Sequence, residues 1–282
     1  MIDKELQKKI DAAIKLLRSV AKRTEGALEI AYSGGKDSDV ILQLAKEAGI
    51  EYRAIYKNTT IDPPGTIKHA LDMGAEMIRP KETFFHLIER AGMPTRFTRF
   101  CCAYLKEYKV GEKSVIGVRK SESRARANRY NEPTACRWYG SHKPENHVEQ
   151  IFPILEWTDD DVLQFILDRK ITLAPVYYDE NGEIDIKRRL GCMCCPLASE
   201  KKRRAQFAER PKMVRAYYRA ARKYLANKPD GKVAQRYQGD AYEWLYREIN
   251  YPREDKWQEV RESVQGRCKE LLEEQFGVSL TL

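Results

Sequence analysis

"AYSGGKDSDV", residues 31–40, overlaps the end of the apolar run "ALEIAY" (27–32) and leads into "DVILQLAKEAG" (39–49), a helical pattern ended by Gly49. The stretch therefore lies where a buried strand hands over to a helix. Gly34 and Gly35 let the backbone turn tightly and aim successive N–H groups at an anion. The following helix adds its positive N-terminal end. Lys36 supplies a full charge, and Ser33 and Ser38 supply hydroxyls. Asp37 fits beside a phosphate only if it caps the helix or faces a magnesium ion. The spacing is neither that of the Walker loop nor that of the dinucleotide fingerprint.

Outward from this loop, strand and helix patterns alternate. Residues 3–22 repeat apolar positions at three- and four-residue steps and predict an amphipathic helix. A strand is expected at 51–58, helices at 63–74 and 81–92, a strand at 114–118, and a helix at 158–170 with Thr158 as N-cap. The alternation predicts an α/β fold with a doubly wound, mostly parallel sheet, and ligands at the carboxyl ends of its strands. After residue 199 the pattern is helical throughout. The expected organisation is an N-terminal helix (1–24), a nucleotide-binding α/β domain (25–198) and a helical C-terminal lobe (199–282).

The chain has 282 residues, 42% of them hydrophobic, and carries 51 Lys and Arg against 42 Asp and Glu, a net charge of +9. That balance suits a polyanionic partner, nucleotide or nucleic acid, or simply a basic solvated surface. No run of eighteen apolar residues occurs, and the charged first residues resemble no signal peptide, so a cytoplasmic protein without a membrane partner is expected.

Seven cysteines include the pairs "CC" at 101–102 and "CMCC" at 192–195, about ninety residues apart. Clustering of this kind points to metal or thiol chemistry. Four thiolates from two hooks suit an iron–sulfur cluster or a structural zinc. Arg119, Lys120, Arg124, Arg126 and Arg129 crowd one short stretch, and Arg119 is the candidate to fork onto phosphate or sulfate oxygens. Lys201, Lys202, Arg203, Arg204, Arg215, Arg219 and Arg222 punctuate a helical stretch containing Tyr217 and Tyr218. They could clamp RNA or DNA, or could be the outer face of a helix whose tyrosines pack inward. The four histidines show no ligand spacing.

Ser-Gly-Gly-Lys-Asp-Ser (33–38) resembles the pyrophosphate loop of the ATP pyrophosphatases, the adenine nucleotide alpha hydrolase superfamily. "TRFCCAYLK" (98–106), "GVRKSESRARANR" (117–129), "FPILEWTDDDVLQFI" (152–166), "LGCMCCPL" (190–197) and "NTTIDPPGT" (58–66) resemble elements of the PAPS and APS (sulfonucleotide) reductase family. The plan is also similar to that of the sulfurtransferases of DNA phosphorothioation. The resemblance implies a 4Fe–4S cluster on Cys101, Cys102, Cys192 and Cys195, with Cys194 a bystander. It also implies an adenosine bordered by Asn58, Thr59 and Ile61.

Two departures bear on activity. Lys36-Asp37-Ser38 keeps the form that grips the pyrophosphate of ATP, which the reductases usually soften. The reductases' Glu-Cys-Gly-x-His does not occur in this sequence, whose last residues read "EEQFGVSLTL". Cys268 lies in a helical pattern and is expected to be structural. The expected activity is therefore cleavage of ATP, with magnesium, between the α and β phosphates. This adenylylates an acceptor for sulfur transfer, with a donor such as a cysteine desulfurase or thioredoxin. One alternative is a PAPS or APS reductase releasing sulfite. Another is a nucleic-acid-binding module that keeps its cluster, or a zinc, for structure.

Overall fold

The structure, a computed structural model, describes residues 2–140 and 143–281. In chain order it contains α1 (Lys4–Lys22), β1 (Leu28–Tyr32), α2 (Lys36–Ala48), β2 (Tyr52–Lys57), α3 (Thr66–Asp72), β3 (Glu76–Ile78), α4 (Phe84–Ala91), α5 (Phe100–Leu105), β4 (Lys113–Val115), α6 (Arg124–Arg129), β5 (Thr134–Trp138) and β6 (His147–Ile151). These are followed by α7 (Asp159–Asp168), α8 (Glu200–Glu209), α9 (Pro211–Asn227), α10 (Lys232–Arg236), α11 (Ala241–Asn250), α12 (Glu254–Val264) and α13 (Cys268–Phe276). Among the described residues no helix is long and apolar enough to cross a membrane.

The chain forms two compact units. The first comprises residues 1–58, 62–79 and 106–191, and the second residues 59–61, 80–105 and 192–282. The N-terminal helix belongs to the first unit, and the segment bearing the tandem cysteines belongs with the C-terminal helices.

The first unit is built on a six-stranded sheet of order β3-β2-β1-β4-β6-β5. All neighbours are parallel except β5, which runs antiparallel to β6. The α/β sheet expected from the alternation is present. The short β3 and the β5–β6 pair are additions that local patterning did not signal. Leu28, Ile30 and Tyr32 of β1 bury into a core with Leu6, Ile10 and Leu17 of α1, Val40, Ile41 and Leu44 of α2, and Phe165 of α7. The buried positions of α1 recur at steps of four and three, and Asp3 caps it by accepting the Leu6 N–H at 2.8 Å. Thr158 caps α7 reciprocally with Asp161: each side chain accepts the other's backbone N–H, at 3.1 and 2.7 Å. β1 pairs with β2 on one side and β4 on the other, so the strand order reverses there, where such sheets open a crevice.

The second unit is helical. Its core gathers Phe84, Leu87 and Ile88 of α4, Phe207 of α8, Val214, Tyr217 and Leu225 of α9, Trp244 and Leu245 of α11, and Leu272 of α13. Gly92 and Gly277 end α4 and α13.

Candidate functional site

The glycine loop occupies the carboxyl end of β1. Gly34 adopts φ +74°, and a Cβ there would meet Thr66 Cγ2 at 3.1 Å. Gly34→Ala is therefore expected to cost about 1–2 kcal/mol for the left-handed backbone alone, read as a lowered thermal midpoint. Gly35 opens α2 and, having no side chain, supplies no cap of its own, while the Tyr177 hydroxyl accepts the Lys36 backbone N–H. The two serines knit the loop together. Ser38 Oγ donates to the Gly35 carbonyl at 2.7 Å and lies 3.2 Å from Ser33 Oγ, and Ser33 Oγ accepts the Gly35 N–H at 3.3 Å.

Lys36 is 3% exposed. Its ammonium sits 5.5 Å from the Tyr177 ring centroid and 3.5 Å from Asp37 Oδ2. Asp37 itself is claimed more tightly by Arg119, whose Nε donates to Oδ1 at 2.6 Å. Arg119 is 1% exposed and spends its remaining bonds on Asp159 (2.7 Å), Ser121 (3.0 Å) and the Trp157 carbonyl (3.5 Å). Four of its five N–H donors are thus used by the protein. The residue expected to reach a nucleotide is placed instead as a clamp joining the loop, the segment after β4 and the start of α7. Gly117 makes the approach possible, since a Cβ there would lie 3.1–3.3 Å from Asp37 atoms. Arg119→Ala removes a buried clamp from two partly exposed carboxylates and is expected to destabilise the first unit by about 1–3 kcal/mol in denaturant titration.

A second buried network lies beneath the loop. Asp39, fully buried, accepts from the Tyr32 hydroxyl and lies 3.0 Å from His69 Nε2, tying α2 to β1 and α3. Burial raises the Asp39 carboxyl above its ordinary range, opposed by His69 and Tyr32.

From Ser33 a cavity of about 190 Å³ runs along the sheet face opposite α1 and α2, lined among others by Glu29, Lys57, Tyr108, Arg137 and Tyr139. Lys57 donates to the Tyr108 and Lys106 carbonyls and lies 4.1 Å from the Tyr108 ring centroid, and burial lowers its pKa. Glu29 accepts from Ser114 Oγ at 3.0 Å. Sequence reading missed these groups, because residues from five separate segments meet there with no shared motif. Asn58 stands at the carboxyl end of β2 with its N–H on Ile78 (3.0 Å).

In the second unit, Thr59 and Ile61 support the cysteine hook. The Ile61 carbonyl accepts the Met193 N–H at 2.8 Å, and Cys192 Sγ donates to Thr59 Oγ1 at 3.7 Å. Cys194 is buried at φ +53°, its N–H on Gln206 Oε1 (2.9 Å) and its carbonyl accepting from the Tyr217 hydroxyl (3.3 Å). This left-handed residue bends the Cys192–Cys195 turn. Cys101 and Cys102 open α5. The Cys101 thiol is pushed up first by its hydrogen bond with Cys102, then by burial, then by the nearby Cys102, Cys195 and Cys192. Four soft sulfur donors thus share one neighbourhood, the donor set an iron–sulfur cluster takes. Their side chains are not drawn into a closed shell: among the described residues no three His, Cys, Asp or Glu groups form a metal site. Cys136 is exposed, and Cys268 is buried and pushed up to about 12, chiefly by burial.

Residues 27–198 match the model of the phosphoadenosine phosphosulfate reductase domain. A functionally uncharacterised protein of Methanocaldococcus jannaschii is 30% identical over 209 residues, 69% of this chain and 47% of that one. Sulfate adenylyltransferase subunit 2 of Streptomyces lavendulae is 26% identical over 201 residues, 61% of this chain and 62% of that one. The chain spans about half the length of the Methanocaldococcus relative. Among solved structures, phosphoadenylyl-sulfate reductase of Candida auris aligns at TM-score 0.45 and 15% identity, over 68% of this chain and 98% of that one. The U34-tRNA thiolase NcsA of Methanococcus maripaludis, solved with its [4Fe-4S] cluster, aligns at 0.39 and 15%, over 93% and 83%. Neither alignment adds weight to the assignment. By the family match over more than half its length, the chain belongs to the phosphoadenosine phosphosulfate reductase domain family.

Proposed function

We propose that this protein binds ATP with magnesium through the Ser33–Ser38 loop and cleaves it between the α and β phosphates, transferring AMP to an acceptor oxygen. The observation that carries this reading is Lys36. It is a buried ammonium whose nearest carboxylate is 3.5 Å away and already engaged by Arg119. A buried cation so weakly countered gains most from an incoming anion. In the reaction the acceptor oxygen bonds to the α phosphorus while the bond from that phosphorus to the bridging oxygen breaks, and pyrophosphate departs. Lys36 and the start of α2 meet the charge that grows on it. The serines and Gly34 hold the loop's shape, and Asp37, held by Arg119, would turn an oxygen to the magnesium ion when ATP binds. The esterified AMP is then a leaving group for sulfur.

Cys101, Cys102, Cys192 and Cys195 would hold a 4Fe–4S cluster. When bound it supplies redox-active iron and inorganic sulfide. Thr59, Ile61, Gln206 and Tyr217 fix the Cys192–Cys195 turn in readiness. The family relation makes sulfonucleotide reduction the competing reading. That chemistry needs an accessible thiolate: the two candidates, Cys194 and Cys268, are buried, the latter with a raised pKa, and the exposed Cys136 lies on the edge strand β5.

Incubation with α-labelled ATP and with labelled sulfonucleotide separates the two. Release of pyrophosphate with transfer of AMP supports the proposal. Thioredoxin-dependent sulfite release without ATP turnover overturns it.

A further inference from the structure

We propose that the exposed faces of α8 and α9 form a binding surface for the phosphate backbone of a nucleic-acid duplex. Residues 200–227 carry ten Lys and Arg against two Glu. Those numbers nearly match the excess of the whole chain, so its basic character is concentrated on two helices. On α9, Lys212, Arg215, Arg219 and Arg222 follow at steps of three, four and three, which lines them up along one side of the helix. Their ten-residue span covers about 15 Å at the helical rise. One duplex strand presents about four phosphates over that length.

Lys201, Lys202 and Arg204 of α8 and Arg210 at the junction are also exposed. None of these, nor Lys212, Arg219 or Arg222, makes an ion pair among the described residues. The neighbouring cations that do have structural work are set apart. Arg203 turns inward to the Ile249 carbonyl at 3.0 Å, Lys223 pairs with Glu89 at 3.1 Å, and Arg215 Nε holds the Ser279 carbonyl at 3.1 Å.

The chemistry of the surface narrows the partner. Tyr217 and Tyr218, the aromatics interleaved with this charge, point into the core, and Tyr218 stacks on Tyr242 at 4.3 Å. Without them the surface lacks the stacking platforms that single strands require. Its contacts would be to phosphates and indifferent to base sequence. An anionic membrane is disfavoured as well. The large apolar side chains exposed among the described residues lie elsewhere, so nothing on this face would insert between lipids. The surface operates independently of the nucleotide loop.

Fluorescence anisotropy of the full chain tests this, with labelled two-turn RNA and DNA duplexes of one arbitrary sequence. Affinity is expected to fall roughly a hundredfold between 50 and 200 mM salt, as about four counterions released by Lys212, Arg219, Arg222 and the α8 cations dictate. The triple variant Lys212→Gln/Arg219→Gln/Arg222→Gln, which leaves Arg215 in place, should flatten the log–log salt slope by about 2.7. The charge-keeping pair Arg219→Lys/Arg222→Lys should retain the original slope, which separates lost charge from lost fold. Binding to either duplex supports the surface, and the tighter one identifies its source. Binding should persist in Lys36→Met, so failure of the ATP reading leaves this result untouched. No binding at 50 mM salt, an unchanged slope in the triple variant, or a preference for phosphatidylserine vesicles over both duplexes would overturn it.

Discussion

Lys36→Met is expected to lower the rate of pyrophosphate release from ATP by about 10²–10³-fold, the usual loss when one preorganised electrostatic contact is removed. The substitution keeps the length of the side chain and its contact with Tyr177. It removes a buried charge that has little protein compensation, so the folded state should not be weakened. Arg119 and Lys36 therefore separate experimentally. Loss of Arg119 shows as instability, while loss of Lys36 shows in the chemistry of a normally stable protein. Equal activity of Lys36→Met and the parent chain would remove the loop from the mechanism.

The second large effect concerns the sulfur hooks. Anaerobically prepared protein should hold about four irons per chain and absorb broadly in the visible. Cys101→Ser, Cys102→Ser, Cys192→Ser and Cys195→Ser should each lose most of that iron. Cys136→Ser and Cys268→Ser should not, since one thiol is exposed on β5 and the other is tucked against the Val264 carbonyl at 3.3 Å. Gln206→Ala should loosen retention without touching a sulfur, because it frees the Cys194 N–H that holds the turn. Colourless protein carrying stoichiometric zinc would give the hooks to the structural alternative.

Much of the fold was legible because its signals are local. The run Leu28–Tyr32, the glycines after it and the three- and four-residue steps of α1 each declare themselves within a few residues. The edge of the sheet was not legible: β3 is three residues long, and β5 reads Thr-Ala-Cys-Arg-Trp, with no clean alternation. At the site, the loop and the cysteine hooks could be read directly, whereas the partners that fix them could not. Arg119 meets Asp37 across 82 residues and Asp159 across 40, and His69 meets Asp39 across 30. Nothing in a local window encodes such pairings. The arginine singled out for a ligand is consumed by the scaffold for that reason. For Tyr217 and Tyr218 the sequence left two orientations open, and the packing of α9 against α4 and α11 turns both inward.

Calorimetric titration of the full chain with magnesium and ATP, with AMP, and with pyrophosphate addresses the loop without needing an acceptor. ATP and pyrophosphate should compete for one site, AMP should bind far more weakly, and Lys36→Met should lose both tight ligands. Equal affinity for ATP and AMP, or ATP binding undiminished in Lys36→Met, would contradict a loop built to hold the departing phosphates.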